Sequence, residues 1–226
     1  MTLIQLNKSI VKCRKCKRLV SFREKIAKEK RRQYFEENYW GKPIIGYGDP
    51  NAKLLMIGLA PAAHGGNRTG RVFTGDKSAD FLFTCLYEAG FSNQPHSIDR
   101  EDGLKLKNLY LTTALKCVPP EDKPTAEELK TCFNYFRREI EFLSNINTIV
   151  ALGKIAFDSC LNFYKQEYSI KAKNFIFSHG SKYKLPDNKT LIGSYHPSPR
   201  NVNTGRIDLK KMLSLLDKVK ATMREK

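Results

Sequence analysis

The sequence predicts a single α/β domain with three layers, in which helices cover both faces of a parallel sheet. Short and nearly continuous apolar runs recur along the 226 residues, each bounded by Gly, Pro or Asn. Such runs are typical of parallel strands that are buried on both faces. Amphipathic patterns of helical length lie between them, and this alternation is typical of α/β domains. The length suits one core, so we predict one catalytic domain over residues 1–226.

The predicted elements follow in chain order. The apolar runs predict strands at residues 54–59, 109–115, 148–152 and 191–195. The amphipathic patterns predict helices at about residues 9–35, 78–89, 125–143, 153–164 and 208–222. Residues 93–103 and 182–189 are polar and are predicted to be surface loops.

The formal net charge of +17 indicates a polyanionic partner, either nucleic acid or an anionic membrane surface. No run approaches the roughly 20 apolar residues of a spanning helix. The first eight residues also lack the apolar core of a signal peptide. We therefore predict a cytoplasmic protein that binds nucleic acid and no membrane.

Basic residues dominate residues 8–32, where the only acidic residues are Glu24 and Glu29. This segment either contacts phosphates or forms a solvated helix face. The sequence leaves both interpretations open, although the total charge favours contact.

Two long loops follow predicted strands. The first runs from Gly58 to Asp76 and contains five glycines. The second begins at His196, after the last predicted strand, and continues to Arg206. Because α/β proteins bind ligands in loops at strand ends, we expect these two loops to face one cleft.

In a chain predicted to be cytoplasmic, six cysteines indicate metal binding, redox chemistry or burial rather than a disulfide framework. Four are candidate ligands of one metal site, namely the Cys-x-x-Cys pair Cys13 and Cys16 together with Cys117 and Cys132. Four thiolates accept either zinc or an iron–sulfur cluster. Cys85 and Cys160 lie on apolar faces of predicted helices and are expected to be buried.

The first loop, Gly-Leu-Ala-Pro-Ala-Ala-His-Gly-Gly-Asn-Arg-Thr-Gly-Arg at residues 58–71, resembles the uracil-DNA glycosylase superfamily, and in particular its broad-specificity family 5. The resemblance includes Gly-Tyr-Gly-Asp-Pro at residues 46–50 and covers most of residues 10–220. It implies a central parallel sheet of four strands. It also implies a repair enzyme that flips uracil and related deaminated bases, such as hypoxanthine and xanthine, out of DNA, excises them by hydrolysis and leaves an abasic site.

Families 4 and 5 carry a [4Fe-4S] cluster, and the resemblance implies that Cys13, Cys16, Cys117 and Cys132 hold it here. Cys117 precedes the Pro-Pro pair that is typical of these families. Because hydrolysis moves no electrons, we expect a structural cluster. A lone Cys-x-x-Cys with two unrelated cysteines is the alternative.

Excision requires a carboxylate beside the sugar, which becomes cationic, and a donor beside the departing base. Asp76 is the candidate carboxylate, and the resemblance implicates an Asp in its Thr-Gly-Asp context. The alternative is that Asp76 only caps the next helix. His196 is the candidate donor, because His-Pro-Ser-Pro resembles the second catalytic motif of the superfamily. A purely structural His is the alternative.

Further residues of the two loops are candidates for substrate binding. Phe73 is expected to stack on the flipped base. Backbone amides near Gly58 and Ala60 are expected to approach the base or a phosphate, and His64 is expected to face the substrate. The resemblance places Arg200 and Asn201 where relatives insert a wedge into the duplex. Arg68, Arg71 and Arg206 are expected phosphate partners.

The sequence departs from the family pattern at two positions. Thr113 stands where several branches have an Asn that recognises uracil, so we expect weaker discrimination between bases. Asp122 stands where family 5 tends to have Asn, which puts a catalytic part for Asp122 in doubt.

Two other functions remain open. A hydrolase of free nucleosides or nucleotides would use similar loops, although the net charge of +17 does not favour such a small substrate. A non-catalytic, zinc-containing nucleic-acid-binding protein is the second. We expect a monomer that acts on double- and single-stranded DNA, and the sequence leaves open the preferred lesion and whether a sliding clamp docks on the tails.

Overall fold

A computed structural model describes residues 1–225. The strands are β1 (Tyr47–Gly48), β2 (Leu54–Gly58), β3 (Leu109–Thr113), β4 (Thr148–Leu152), β5 (Lys182–Lys184) and β6 (Thr190–Ser194). They form one sheet in the order β1-β3-β2-β4-β6-β5. The four central strands are parallel, whereas β1 and β5 pair with their neighbours in antiparallel fashion.

The four central strands confirm the predicted parallel sheet, and every residue in them is buried. The two edge strands were not predicted, and the prediction of a loop throughout residues 182–189 is wrong. β5 has exposed lysines on either side of the half-buried Tyr183, so no apolar run marks it in the sequence. β1 is only two residues long.

The helices are α1 (Leu3–Val11), α2 (Lys17–Glu29), α3 (Gly66–Thr69), α4 (Lys77–Glu88), α5 (Ala126–Phe142), α6 (Lys154–Tyr168), α7 (Pro199–Asn203) and α8 (Leu209–Arg224). Of these, α4, α5, α6 and α8 lie near predicted positions, whereas α3 and α7 were not predicted. The short helices α3 and α7 lie inside the two loops that follow β2 and β6. Within residues 1–225, no helix is long and apolar enough to span a membrane.

The prediction of one long helix at residues 9–35 is wrong. α1 ends at Val11, and Cys16, which precedes α2, is extended. The chain therefore turns around the Cys-x-x-Cys pair. α2 ends at Glu29 because Lys30 has a positive φ of 53°.

Apolar side chains pack on both faces of the sheet and confirm the three layers. On one face, a core cluster joins the central strands to α4 and α8, and it includes the buried Cys85. On the other face, a second cluster joins the strands to α5 and α6, and it includes the buried Cys160. Both cysteines are therefore core residues, as predicted.

A buried ion pair fixes the chain after β3 against α5. Lys116 and Glu139 are at most 1% exposed and form a salt bridge. The Lys116 ammonium also donates to Thr112 Oγ1 at 2.7 Å and to the Thr113 carbonyl at 2.8 Å. Glu139 in turn accepts a hydrogen bond from the Gly46 N–H at 3.3 Å. This network holds the carboxyl end of β3 in place.

We expect Glu139→Gln to lower the free energy of unfolding by about 3 kcal/mol, because it leaves the Lys116 charge buried without a counter-charge. Urea denaturation at neutral pH measures the loss. Glu141→Gln is the matched control, since Glu141 pairs with Arg137 at the surface and should contribute at most about 1 kcal/mol. Equal losses in the two variants would contradict the importance of the buried pair.

Candidate active site

The two predicted ligand loops lie at one edge of the sheet. β2, β3, β4 and β6 are parallel, so their carboxyl ends meet at the same edge. The first loop follows β2 and the second follows β6. Open α/β sheets bind ligands outside this edge. Pro199 of the second loop lines the same cleft as His64 and Asp76 of the first.

Asp76 caps a helix through only one of its two carboxylate oxygens. Its Oδ1 accepts hydrogen bonds from the N–H groups of Ser78 at 2.9 Å and Ala79 at 3.0 Å, at the start of α4. Its Oδ2 lies against Gly65, where a Cβ atom would come within 2.0 Å of it. Burial raises the pKa of Asp76, and the two N–H bonds oppose that rise. The alternative predicted from sequence, a helix cap, is therefore present, and it leaves Oδ2 facing the cleft residues.

His64 lies beside this carboxylate and is held by Tyr39. The Tyr39 hydroxyl is 3.0 Å from His64 Nδ1 and accepts a hydrogen bond from the Arg31 N–H at 3.3 Å. Because a hydroxyl can donate one hydrogen bond and accept two, this contact is compatible with either tautomer of the imidazole. Burial, followed by the charges of Arg31 and Arg68, lowers the pKa of His64. Both effects favour the neutral form of the ring, which carries one N–H and lines the cleft.

Gly58 and Thr113 end β2 and β3, and the Phe73 ring lies against Gly58. Gly58 and Thr113 are paired in register, and a Cβ atom on Gly58 would lie 2.5 Å from Phe73 Cζ. The Phe73 ring therefore lies directly over the Gly58 backbone, and Phe73 itself has a positive φ of 49°. Thr113 Oγ1 is buried and has no hydrogen-bond partner within residues 1–225. Buried hydroxyls are normally paired, so this atom marks a place where a polar ligand group fits.

His196 follows β6 and packs near the start of α6. A Cβ atom on Gly153 would lie 3.5 Å from His196 Cβ. Burial lowers the pKa of His196 to about 4, so the ring is neutral at physiological pH. Asn201 fixes the loop, because its Nδ2 donates to the His196 carbonyl at 2.8 Å. Arg200 is exposed on α7.

Ala60 and Asp122 occupy the side of the site nearest β3. Ala60 packs against a small apolar cluster that contains Leu115 and Cys132. Asp122 is exposed, has a positive φ of 56° and lines the cleft with Asp76 and His64. The site therefore contains a second carboxylate whose role the sequence left in doubt.

Arg68 and Arg71 brace the first loop from within and do not face phosphates as expected. The Arg68 side chain donates to the carbonyls of His64 at 2.7 Å and Gly75 at 2.8 Å, and it pairs with Glu37. Both arginines are buried. Arg206 is exposed and lies over the Tyr195 ring.

Arg71 forms a fork to Asp102 in the loop that the sequence predicted at residues 93–103. The two guanidinium–carboxylate distances are 2.9 and 2.6 Å. The guanidinium also donates to Thr74 Oγ1 at 3.0 Å and to Ser97 Oγ at 2.8 Å. These bonds join the first loop, at the turn that contains Phe73, to the loop at residues 93–103.

The four candidate ligand cysteines line one small cavity of about 20 Å³. Cys13 and Cys16 lie between α1 and α2, Cys117 follows β3, and Cys132 lies in α5. Arg23 of α2 lines the same cavity and donates to Cys117 Sγ at 2.9 Å. Among residues 1–225, no three His, Cys, Asp or Glu side chains are gathered closely enough to hold a single metal ion. The four thiols instead surround a shared space.

Sequence reasoning missed three residues that support the site, namely Arg23, Tyr39 and Asp102. Arg23 is part of the basic segment, and nothing in its sequence context separates it from its exposed neighbours. Tyr39 and Asp102 lie in irregular segments without periodicity. Each meets its partner only through the tertiary fold.

Known proteins match this chain over most of its length. The family model of the uracil DNA glycosylase superfamily matches residues 45–220. The chain is 42% identical to the type-5 uracil-DNA glycosylase of Thermus thermophilus, with 94% of each chain covered. It is also 42% identical to the type-5 enzyme of Pyrobaculum aerophilum, over 94% of this chain and 89% of that protein. The type-5 enzyme of Mycobacterium leprae is 43% identical over 90% of this chain and 88% of its own.

The Arg71–Asp102 fork should make stability depend on pH. Burial acts to raise the pKa of Asp102, but hydrogen bonds from Arg71 and from backbone N–H groups outweigh it and hold the pKa at about 2, below the ordinary 3.8. The stabilisation is therefore complete above about pH 4 and is lost as the pH falls toward 2.

We expect Asp102→Asn to lower the free energy of unfolding by about 2 kcal/mol at pH 7, with a difference from wild type that shrinks below pH 4. Denaturant titrations from pH 7 to 2.5 measure this difference. The exposed Asp99→Asn in the same loop is the control and should remain near wild type. A pH-independent deficit in Asp102→Asn would contradict the charged fork.

Proposed function

Because the chain belongs to the uracil-DNA glycosylase superfamily, we propose that it is a monofunctional DNA glycosylase of base excision repair. It excises uracil by hydrolysis of the bond between base and deoxyribose and leaves an abasic site. We extend the proposal to other deaminated bases such as hypoxanthine and xanthine. The observation that carries it is the free oxygen of Asp76 at the edge of the sheet that also bears His196 and the unpaired Thr113 hydroxyl.

Asp76 is the proposed catalytic carboxylate. As the base departs, positive charge develops on the sugar, and a nearby carboxylate stabilises that charge and orients water. The cap bonds occupy Oδ1 and fix the side chain, so Oδ2 can act without a change of rotamer. Such preorganisation removes the cost of reorienting the group during the reaction.

His196 is the proposed donor to the base oxygen that gains negative charge. A donor for this task must keep its proton at neutral pH without being positively charged beforehand. The lowered pKa of His196 meets the second condition, because the neutral ring retains one N–H. A hydrogen bond that strengthens as charge develops favours the transition state over the bound substrate.

Phe73, Gly58 and Thr113 form the proposed base pocket. An aromatic face over a glycine backbone accepts any flat base, and stacking contributes about 1–3 kcal/mol. The Thr113 hydroxyl can donate or accept one hydrogen bond, unlike an Asn amide, which presents a fixed donor and acceptor pair. These features support a broad substrate range. His64 and the amide of Ala60 complete the proposed contacts to the target nucleotide.

We propose that Cys13, Cys16, Cys117 and Cys132 hold a [4Fe-4S] cluster. The donor set fits, since four thiols from three segments face one cavity. A buried cation, Arg23, also faces it, which suits a negatively charged group bonded to four thiolates. When bound, the cluster supplies iron–thiolate bonds that tie α2, α5 and the chain after β3 together. Base hydrolysis needs no electron transfer, so the proposed role is structural.

The net charge of +17 supports DNA as the substrate. Lys15, Lys17, Arg31 and Arg32 of the basic segment are exposed and are proposed phosphate contacts. Arg200 and Asn201 are the proposed wedge at the duplex. Action as a monomer and contact of a sliding clamp with either tail stay predictions.

We expect Asp76→Asn to lower the single-turnover excision rate on a uracil oligonucleotide by about 100-fold or more, with little change in DNA affinity. Asn still offers an oxygen to the N–H groups of α4, so the cap survives while the charge is lost. Asp208→Asn is the matched control, because Asp208 caps α8 and does not line the cleft. Wild-type turnover in Asp76→Asn would contradict the catalytic role, and cleavage of free nucleotide in preference to DNA would favour the nucleotide hydrolase.

We expect the wild type to excise hypoxanthine as well as uracil, and Thr113→Asn to shift the ratio of the two rates toward uracil by about tenfold. The Asn amide pairs with uracil and leaves donors unsatisfied against other bases. Oligonucleotides that carry uracil, hypoxanthine or xanthine opposite each base measure the ratio, and Thr113→Val, which only removes the hydroxyl, is the control. A wild type that excises uracil alone would contradict the broad pocket.

A further inference from the structure

Arg23 is a buried cation without a buried anion. It lies on α2, is 2% exposed and forms no ion pair with a carboxylate within residues 1–225. Its Nη1 donates to Cys117 Sγ at 2.9 Å, and its Nη2 donates to the Cys13 carbonyl at 3.0 Å. Its Nε is buried without a hydrogen-bond partner in the same residues.

Burial of an unpaired charge is costly, so a guanidinium in this position indicates a missing anion. The other arginines near the cysteines differ in this respect. Arg18 pairs with Glu128 at 2.7 Å, and the exposed Arg14 pairs with Glu24. Arg23 lines the cysteine cavity beside Cys117, and no Asp or Glu side chain of the described residues lines that cavity.

Arg23 also contacts the catalytic loop, which is the first loop at residues 58–76, through its backbone. The Arg23 carbonyl accepts a hydrogen bond from Asn67 Nδ2 at 3.2 Å. Asn67 is 1% exposed and lies in α3, three residues after His64. One residue therefore touches the ligand cysteines through its side chain and the catalytic loop through its backbone.

We propose that Arg23 is the counter-ion of the group held by the four cysteines and the link through which that group orders the catalytic loop. The proposal rests on the cluster proposed above. The guanidinium donates to Cys117 and would balance the negative charge of a group bound by the four cysteines, and this would fix the Arg23 backbone. Asn67 passes the restraint to α3, so a protein without its cluster has a looser loop around His64.

The first test is retention of iron. Wild type, Arg23→Gln, Arg23→Lys and Lys25→Gln are purified without oxygen from iron-replete cells, and the release of iron to a chelator is followed by visible absorbance. Lys25→Gln is the matched control, since it removes the same charge from an exposed position on the same helix. We expect Arg23→Gln to release iron about tenfold faster than wild type and Lys25→Gln, with Arg23→Lys between them, because Lys keeps the charge but loses the fork.

Release from Arg23→Gln at the rate of Lys25→Gln would overturn the proposal. Should Arg23→Gln fail to fold, Arg23→Lys carries the same comparison. A wild type that contains zinc or no metal would overturn the cluster and the role of Arg23 together. Uracil excision by that same sample would leave the proposed glycosylase function standing, so the two failures are distinguishable.

The second test is hydrogen exchange of residues 60–70 in iron-loaded and iron-stripped protein. We expect removal of iron to speed amide exchange in this segment about tenfold or more in the wild type. We expect Asn67→Ala to retain iron as the wild type does but to show fast exchange whether or not iron is present. Equal exchange in loaded and stripped wild type would overturn the link.

Discussion

The pairing of β2 with β3 is the constraint on which the site depends. Their register places Gly58 beside Thr113 at the edge where both strands end. The missing side chain at Gly58 leaves room for the Phe73 ring, and the chain must turn sharply at Phe73 to bring Asp76 to the start of α4. A shift of register by one residue would move a β-strand side chain into the space of the ring. The core of the sheet thus sets the geometry of the cleft.

Buried ion pairs hold the irregular segments in place. Lys116 and Glu139 anchor the chain after β3, and Arg71 and Asp102 fasten the first loop to a second one. Packing alone cannot fix the conformation of loops that have few apolar contacts. Hydrogen bonds between charged groups fix it instead. Arg23 differs from these pairs because no carboxylate of the described residues pairs with it, although it donates to Cys117 Sγ.

The regular elements could largely be predicted from sequence because their periodicity is a local property. The central strands and the helices α4, α5, α6 and α8 lie within a few residues of their predicted bounds. The break between α1 and α2 was missed because basic residues surround the Cys-x-x-Cys pair and mimic one continuous amphipathic helix. The predicted phosphate roles of Arg68 and Arg71 failed for a different reason. An arginine looks the same in sequence whether it bonds a phosphate or a carbonyl of its own loop.

The double use of Asp76, whose Oδ1 caps α4 while Oδ2 stays free, has a genetic consequence. Every Asp codon becomes an Asn codon by a single G-to-A transition, which is what deamination of the cytosine on the opposite strand produces. Asn preserves the cap, so the altered protein would fold, escape quality control and still bind DNA. A single unrepaired uracil in the gene of the proposed enzyme would thus produce a stable, inactive variant. That variant would compete with the active enzyme for the lesions that it removes.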